Sequence, residues 1–137
     1  MKIKDDYLKC PQKKIRIGPR DYEITYMDDI TVDVAERVGW CDSHHLVIRI
    51  LKSTNKFKVA ETFVHEVFHA IENVMAIDKD HDDDGESSEK NIQRLTTGLA
   101  MFIRYNPVVV VWLLYLFTSF EIFNTIKYKS IMRKTIK

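Results

Sequence analysis

Residues 58–75 read KVAETFVHEVFHAIENVM, and their pattern predicts a helix with one apolar side. When each residue is turned by about 100°, as in an α-helix, seven apolar side chains fall on that side. They are Phe63, Val64, Val67, Phe68, Ile71, Val74 and Met75. Ser53, Thr54 and Asn55 precede the helix, and any of them can supply the N-cap. We expect the apolar side to face the core.

Strand patterns precede this helix. KKIRI (13–17) and DYEITYM (21–27) alternate apolar and polar residues on either side of Gly18-Pro19, which predicts a hairpin. HLVIRIL (45–51) is rich in β-branched residues and predicts a third strand. The fold class we expect is therefore α+β, with a small three-stranded sheet packed on the helix.

A second helix is predicted from about Ser88 to Tyr105, ending before Asn106-Pro107. Its apolar stripe consists of Ile92, Leu95, Leu99, Phe102 and Ile103. This stripe predicts that the second helix packs on the same core as the first.

The chain has the size and composition of one globular domain. Its 137 residues are 45% apolar and 30% charged, and a formal net charge of +1 excludes nucleic-acid binding through bulk charge. The opening MKIKDDYLKC lacks the apolar stretch of a secretory signal, and two cysteines do not form a disulfide scaffold. Cys41 has no second cysteine at metal-ligand spacing. We therefore expect a cytoplasmic protein in which Cys41 binds no metal.

The first helix carries H-E-x-x-H at His65, Glu66 and His69. Two histidines four residues apart lie about 40° apart on a helix and one turn along it, so both imidazoles can reach one ion. Glu66 projects beside them, where it can take a proton from a metal-bound water. The alternative is that all three residues decorate the solvent side of the helix, opposite Val67 and Ile71.

A catalytic zinc ion usually has three protein ligands and a water molecule, so a third ligand is needed. Glu89 lies near the start of the second helix, at the inward edge of its apolar stripe, and is our first choice. Glu86, His81 and the aspartates at 82–84 are the alternatives.

With these elements the chain resembles the HExxH zinc metallopeptidases of the gluzincin type, a group of zincins, and most closely the short metallopeptidases encoded in phage and prophage genomes. The resemblance covers residues 14–107 and includes DYEITYM, GWCD before HLVIRIL, ETFVHEVFHAIE, and SEKNIQRLTTGLAMFIRYNP. It implies that His65, His69 and Glu89 bind zinc and that Glu66 is the general base. It also implies a protein or peptide substrate and, for a phage-encoded protein, the host bacterial cytoplasm.

An acidic stretch at 78–86 separates the two predicted helices. Asp80, Asp82, Asp84 and Gly85 match the first half of an EF-hand loop. The twelfth position of that loop, where a bidentate glutamate completes the calcium shell, is Asn91. We expect a solvated loop, with a calcium site as the alternative.

Residues 108–137 form an apolar and then basic tail after the metallopeptidase domain that we assign to 1–107. The uncharged run 108–120 is shorter than the roughly 20 residues that span a bilayer. A core or dimer helix is the first interpretation. The cations of 127–137 leave open a peripheral or tail-anchored membrane contact, or self-association, through 108–126.

The pattern as a whole predicts a zinc-dependent metallopeptidase that hydrolyses peptide bonds through a metal-bound water activated by Glu66. The donor to the oxyanion stays open among Tyr26, Tyr105 and His81. The alternative is a non-catalytic, zinc-stabilised binding or regulatory module of phage origin, which needs the metal ligands but not Glu66.

Overall fold

The computed structural model describes residues 6–28, 38–77 and 85–118, which form a mixed four-stranded sheet and three α-helices. The strands are β1 (Lys14–Ile17), β2 (Arg20–Met27), β3 (Gly39–Asp42) and β4 (Val47–Leu51). The helices are α1 (Lys56–Val74), α2 (Gly85–Tyr105) and α3 (Pro107–Phe117), and a short 3-10 helix spans Asp6–Leu8. The fold is α+β, as predicted.

Strands β1 and β2 form the predicted antiparallel hairpin, in which Ile17 pairs with Arg20. Gly18 has φ +57°, a left-handed conformation that suits the first central residue of a two-residue hairpin turn. Pro19 follows with its fixed φ. Alternation along β1 and β2 buries Ile15, Tyr22 and their same-face neighbours under the helices.

The prediction of three strands is wrong by one, because Gly39–Asp42 forms the edge strand β3. The strand order is β1-β2-β4-β3, with β4 parallel to β2 and antiparallel to β3. The four residues GWCD start with glycine and show no apolar alternation, so local sequence carries no strand signal. Their pairing with β4 makes them a strand.

Helix α1 matches its prediction closely, beginning two residues earlier than Lys58 and ending one residue before Met75. Asn55 is the N-cap, and its side chain accepts a hydrogen bond from the Lys58 N–H at 3.1 Å. Phe63, Val67 and Ile71 are buried in the core. The apolar side therefore faces the core, as expected.

Helix α2 starts at Gly85, three residues before the predicted start, and ends at Tyr105 as predicted. Its predicted apolar stripe is buried only in part. Phe102 is buried and Leu95 and Leu99 are half-buried, whereas Ile92 and Ile103 are exposed. The helix therefore contacts the domain along a narrower side than its sequence pattern indicates.

Helix α3 packs in the core, so the described part of the apolar run belongs to the folded domain. Trp112 is 1% exposed and its ring meets Phe63 edge to face, with ring centroids 5.1 Å apart. The indole N–H donates to the Tyr7 carbonyl at 2.7 Å. The basic part of the predicted tail and the stretch at 78–84 lie outside the described residues.

The buried amide of Asn106 joins the α2–α3 corner to the outer edge of β1. Its Oδ1 accepts from the Arg16 N–H at 2.9 Å, and its Nδ2 donates to the Arg16 carbonyl at 2.7 Å. The same Nδ2 donates to the Phe102 carbonyl at 2.9 Å. The side chain thus satisfies backbone groups of an edge strand as a neighbouring strand would.

Within the three described ranges, no single helix has the length and apolar composition needed to cross a membrane. Residues 89–105 of α2 reach that length only together with α3, across a bend of 100°.

The contact between α1 and α2 predicts that Gly98→Ala destabilises the protein. A Cβ at Gly98 would lie 2.4 Å from Cγ2 of Ile71, which is fully buried and cannot move aside. The gain in helix propensity is about 1 kcal/mol, whereas overpacking a core contact costs about 1–3 kcal/mol. The difference is a loss of up to about 2 kcal/mol, and a contact as short as 2.4 Å places the expected fall in the free energy of unfolding near the upper end of that range. Thr97→Ala, at an exposed position beside it, is the control; equal stability of Gly98→Ala and the parent would contradict the close contact.

Candidate metal centre

His65 and His69 are exposed on α1, and their rings converge. Their Nε2 atoms lie 3.1 Å apart, with the ring planes 80° to each other. Two nitrogen ligands about 2.0–2.1 Å from one tetrahedral zinc ion lie roughly 3.3 Å apart. The observed spacing therefore fits two ligands of one ion, as the helical spacing predicts.

Glu72 sets the tautomer of His69. Its Oε2 lies 3.0 Å from His69 Nδ1, and a carboxylate can only accept a hydrogen bond, so Nδ1 donates. In the neutral ring the lone pair is then on Nε2, the atom that faces His65. Metal-bound histidines usually have such a carboxylate or carbonyl behind them. The sequence prediction missed Glu72, although its position one helical turn after His69 is the signal that could have identified it.

Glu66 is buried rather than solvated, which corrects the alternative in which the whole motif decorates the solvent side of α1. It is 5% exposed, while both histidines are exposed. Consecutive residues on a helix are turned by about 100°, so Glu66 leaves α1 beside the exposed histidines and reaches Gly39 on β3. The motif thus lies at the border between the packed side of α1 and solvent.

Gly39, the first residue of β3, lies directly against Glu66. A Cβ built there would come within 2.7 Å of Glu66 Oε1 and 2.8 Å of Thr62 Cγ2. Only a residue without a side chain lets the edge strand approach α1 this closely. Gly39 therefore helps to position Glu66, and local sequence gave no sign of this role because the contact is long-range.

The structure does not bring Glu89 to the histidines. Glu89 is exposed on α2, and no group of three His, Cys, Asp or Glu within the described ranges could hold a metal ion. The alternative ligands at 81–84 and the side chain of Glu86 lie outside the described residues. The third ligand therefore stays a prediction.

Cys41 is half-buried on β3, and its thiol lies 3.8 Å from the Ser43 hydroxyl. Burial raises the pKa of this thiol, and the negative charge of Glu66 adds to the rise. Zinc binds the thiolate, so these surroundings disfavour ligation. The expectation that Cys41 binds no metal stays a prediction.

A cleft of about 600 Å³ adjoins the contact between Gly39 and Glu66. Val38 and Thr62 line it, so it begins one turn of α1 before Glu66. Of the three candidate oxyanion donors, Tyr26 also lines this cleft, and burial raises the pKa of its hydroxyl. Tyr105 instead lies against the Arg16 guanidinium on β1, at the other edge of the sheet from β3. His81 lies outside the described residues. The sequence did not reveal the cleft.

The histidine pair predicts that the purified protein binds one zinc ion per chain and that His69→Ala weakens this binding by at least about 100-fold. Loss of a residue that only hydrogen-bonds to a metal ligand typically lowers metal affinity about 10- to 100-fold, so loss of a ligand itself should lower it further. The measurement is zinc titration against a chromophoric chelator. His45→Ala is the matched control, because His45 is also exposed and also has a carboxylate, Asp42 Oδ2, 2.8 Å from its Nδ1.

The same titration assigns the third ligand. Glu89→Ala should weaken zinc binding far more than Glu86→Ala does, and the reverse order would give the role to Glu86. Unchanged zinc affinity in His69→Ala would show that the two histidines do not form a metal centre.

Comparison of the chain with protein-family models, with curated proteins and with solved structures finds no match. The resemblance to gluzincins is therefore carried by the residues of this chain alone. The cytoplasmic location and phage origin that the sequence suggested stay predictions. The case for a metal centre depends on His65, His69, Glu72 and the buried Glu66.

Proposed function

We propose that this protein is a zinc-dependent peptidase in which His65 and His69 hold the ion and Glu66 is the general base. The observation that carries the proposal is the pairing of two convergent imidazoles with a buried carboxylate on the same helix. A carboxylate that the helix places next to two imidazoles can accept the proton of a water bound to the same ion.

His65 and His69 would bind zinc through Nε2, and Glu72 holds His69 in the tautomer that permits this. Zinc, when bound, supplies a Lewis acid that lowers the pKa of water and polarises a carbonyl group. Since both histidines are exposed, the ion and the substrate would have access from solvent.

Glu66 would accept the proton of the attacking water on its carboxylate and later return it to the leaving amine. The cover provided by Gly39 excludes solvent from one side of this carboxylate. Charge interactions are stronger where water is excluded, so this cover would strengthen the interaction between the carboxylate and the reacting groups.

The substrate would be a protein or peptide bound along β3 and in the adjoining cleft. No described strand pairs with the outer side of β3, and an exposed edge strand can pair with an extended peptide. The cleft, with Tyr26 in its wall, is large enough for a substrate side chain. The Tyr26 hydroxyl accepts from the Cys10 N–H and keeps its own proton for donation.

The proposal predicts that Glu66→Gln retains zinc binding and fold but loses peptide hydrolysis. Glutamine has nearly the same shape as glutamate but cannot accept the proton, so turnover should fall by at least about 10²- to 10⁴-fold. The measurement is cleavage of peptide libraries and of a denatured protein at equal zinc occupancy. Glu61→Gln, at an exposed position on the same helix, is the control.

Two results would decide against this mechanism. Equal cleavage by the parent and Glu66→Gln would show that Glu66 is not the general base. No cleavage by the zinc-loaded parent across broad libraries would favour the non-catalytic binding module.

The position of Gly39 predicts that Gly39→Ala lowers turnover without weakening zinc binding. The new Cβ would push the Glu66 carboxylate aside, and a misplacement of about 1 Å can cost up to 10²-fold in rate. In the Glu66→Gln background the same substitution should have little further effect, because the base is already lost. Steady-state kinetics of the four proteins measures this coupling, and additive losses would show that Gly39 acts through something other than Glu66.

A further inference from the structure

An exposed apolar patch lies where the end of α3 meets the start of α1. Its members, Phe57, Leu114 and Phe117, are 55%, 51% and 38% exposed. The rings of Phe57 and Phe117 meet edge to face with centroids 5.5 Å apart. Leu114 and Phe117 are three residues apart and share one side of α3. We call these three residues the Phe57 patch.

Two lysines flank Phe57 in the chain. Lys56 places its ammonium 5.5 Å from the ring centroid of Tyr115. Lys58 is exposed, and its ammonium lies 3.6 Å from the Glu61 carboxylate. Large exposed apolar side chains grouped in this way indicate an interaction surface rather than chance exposure.

The chain continues from the Phe57 patch into a sequence of the same character. Residues 119–126 include four large apolar side chains, Phe120, Ile122, Phe123 and Ile126. Residues 127–137 then carry five cations and no acidic residue. Apolar residues followed by clustered cations are typical of segments that bind anionic lipid surfaces.

We infer that the Phe57 patch docks on an anionic membrane surface, with its apolar side chains in the interfacial layer and the neighbouring cations on lipid headgroups. Lys56 beside the patch matches an anionic surface in charge, and the sequence that follows the patch carries five more cations at 127–137. A second copy of this chain fits the surface less well, because a symmetric contact brings like charges together. An acidic protein partner would match the charge but does not require the contiguous aromatic side chains.

The test is co-sedimentation of the full chain with vesicles of phosphatidylcholine alone and of phosphatidylcholine mixed with phosphatidylglycerol. The double variant Phe57→Ser/Leu114→Ser removes the two most exposed members of the patch. Its matched control is Ile92→Ser/Ile103→Ser, which removes two side chains of similar exposure, 55% and 48%, from α2. Circular dichroism melting of each variant verifies that it is folded.

We expect the parent to bind the anionic vesicles, with weaker binding as salt rises. The patch variant should bind at least about tenfold more weakly, because it loses two of the three apolar side chains that would leave water on docking. The α2 variant should bind like the parent. Absence of binding, equal binding to neutral vesicles, or equal loss in both double variants would overturn the inference. A vesicle-free dimer that the patch substitutions dissociate would instead assign the surface to a second copy.

Discussion

The close approach of β3 to α1 at Gly39 is the constraint on which the rest of the proposed site depends. A side chain at this position would overlap with Thr62 and Glu66, so a glycine is needed for the edge strand to cover the carboxylate. The covered carboxylate loses hydration, which opposes folding. The strand that the sequence pattern failed to reveal is therefore the one that gives Glu66 its surroundings.

Helical periodicity then separates the functions of neighbouring residues on α1. His65 and His69 differ by about 40° around the helix, so both rings meet in solvent, whereas Glu66 is turned by about 100° from His65. Phe63, Val67 and Ile71 of the same helix are buried in the core. One helix thus fixes the spacing between the two metal ligands and the spacing between these ligands and the proposed base. Neither spacing depends on the conformation of a loop.

The sequence predicted the features that local periodicity encodes and missed those that depend on long-range contacts. The β1–β2 hairpin, α1 and the convergence of His65 with His69 follow from turn chemistry, apolar spacing and helix geometry. The strand β3 and the burial of Glu66 depend on a contact between residues 39 and 66, which no local pattern reports. The exposure of Ile92 has a similar origin, because a stripe shows which side of a helix is apolar but not how much of it is covered.

The attachment of α2 bears directly on the choice of third ligand. Gly98 against Ile71 and the amide of Asn106 hold the second half of this helix, while Arg94 donates to the Ala76 carbonyl nearer its start. Glu89 precedes Gly98 by nine residues, about 14 Å of helix, so a small tilt about this attachment moves Glu89 further than it moves Gly98. Ligation by Glu89 would require such a movement of α2 toward α1. The free energy needed for this movement would weaken the observed affinity for zinc. The zinc affinity of this protein would then measure the packing of α2 as well as the chemistry of its ligands.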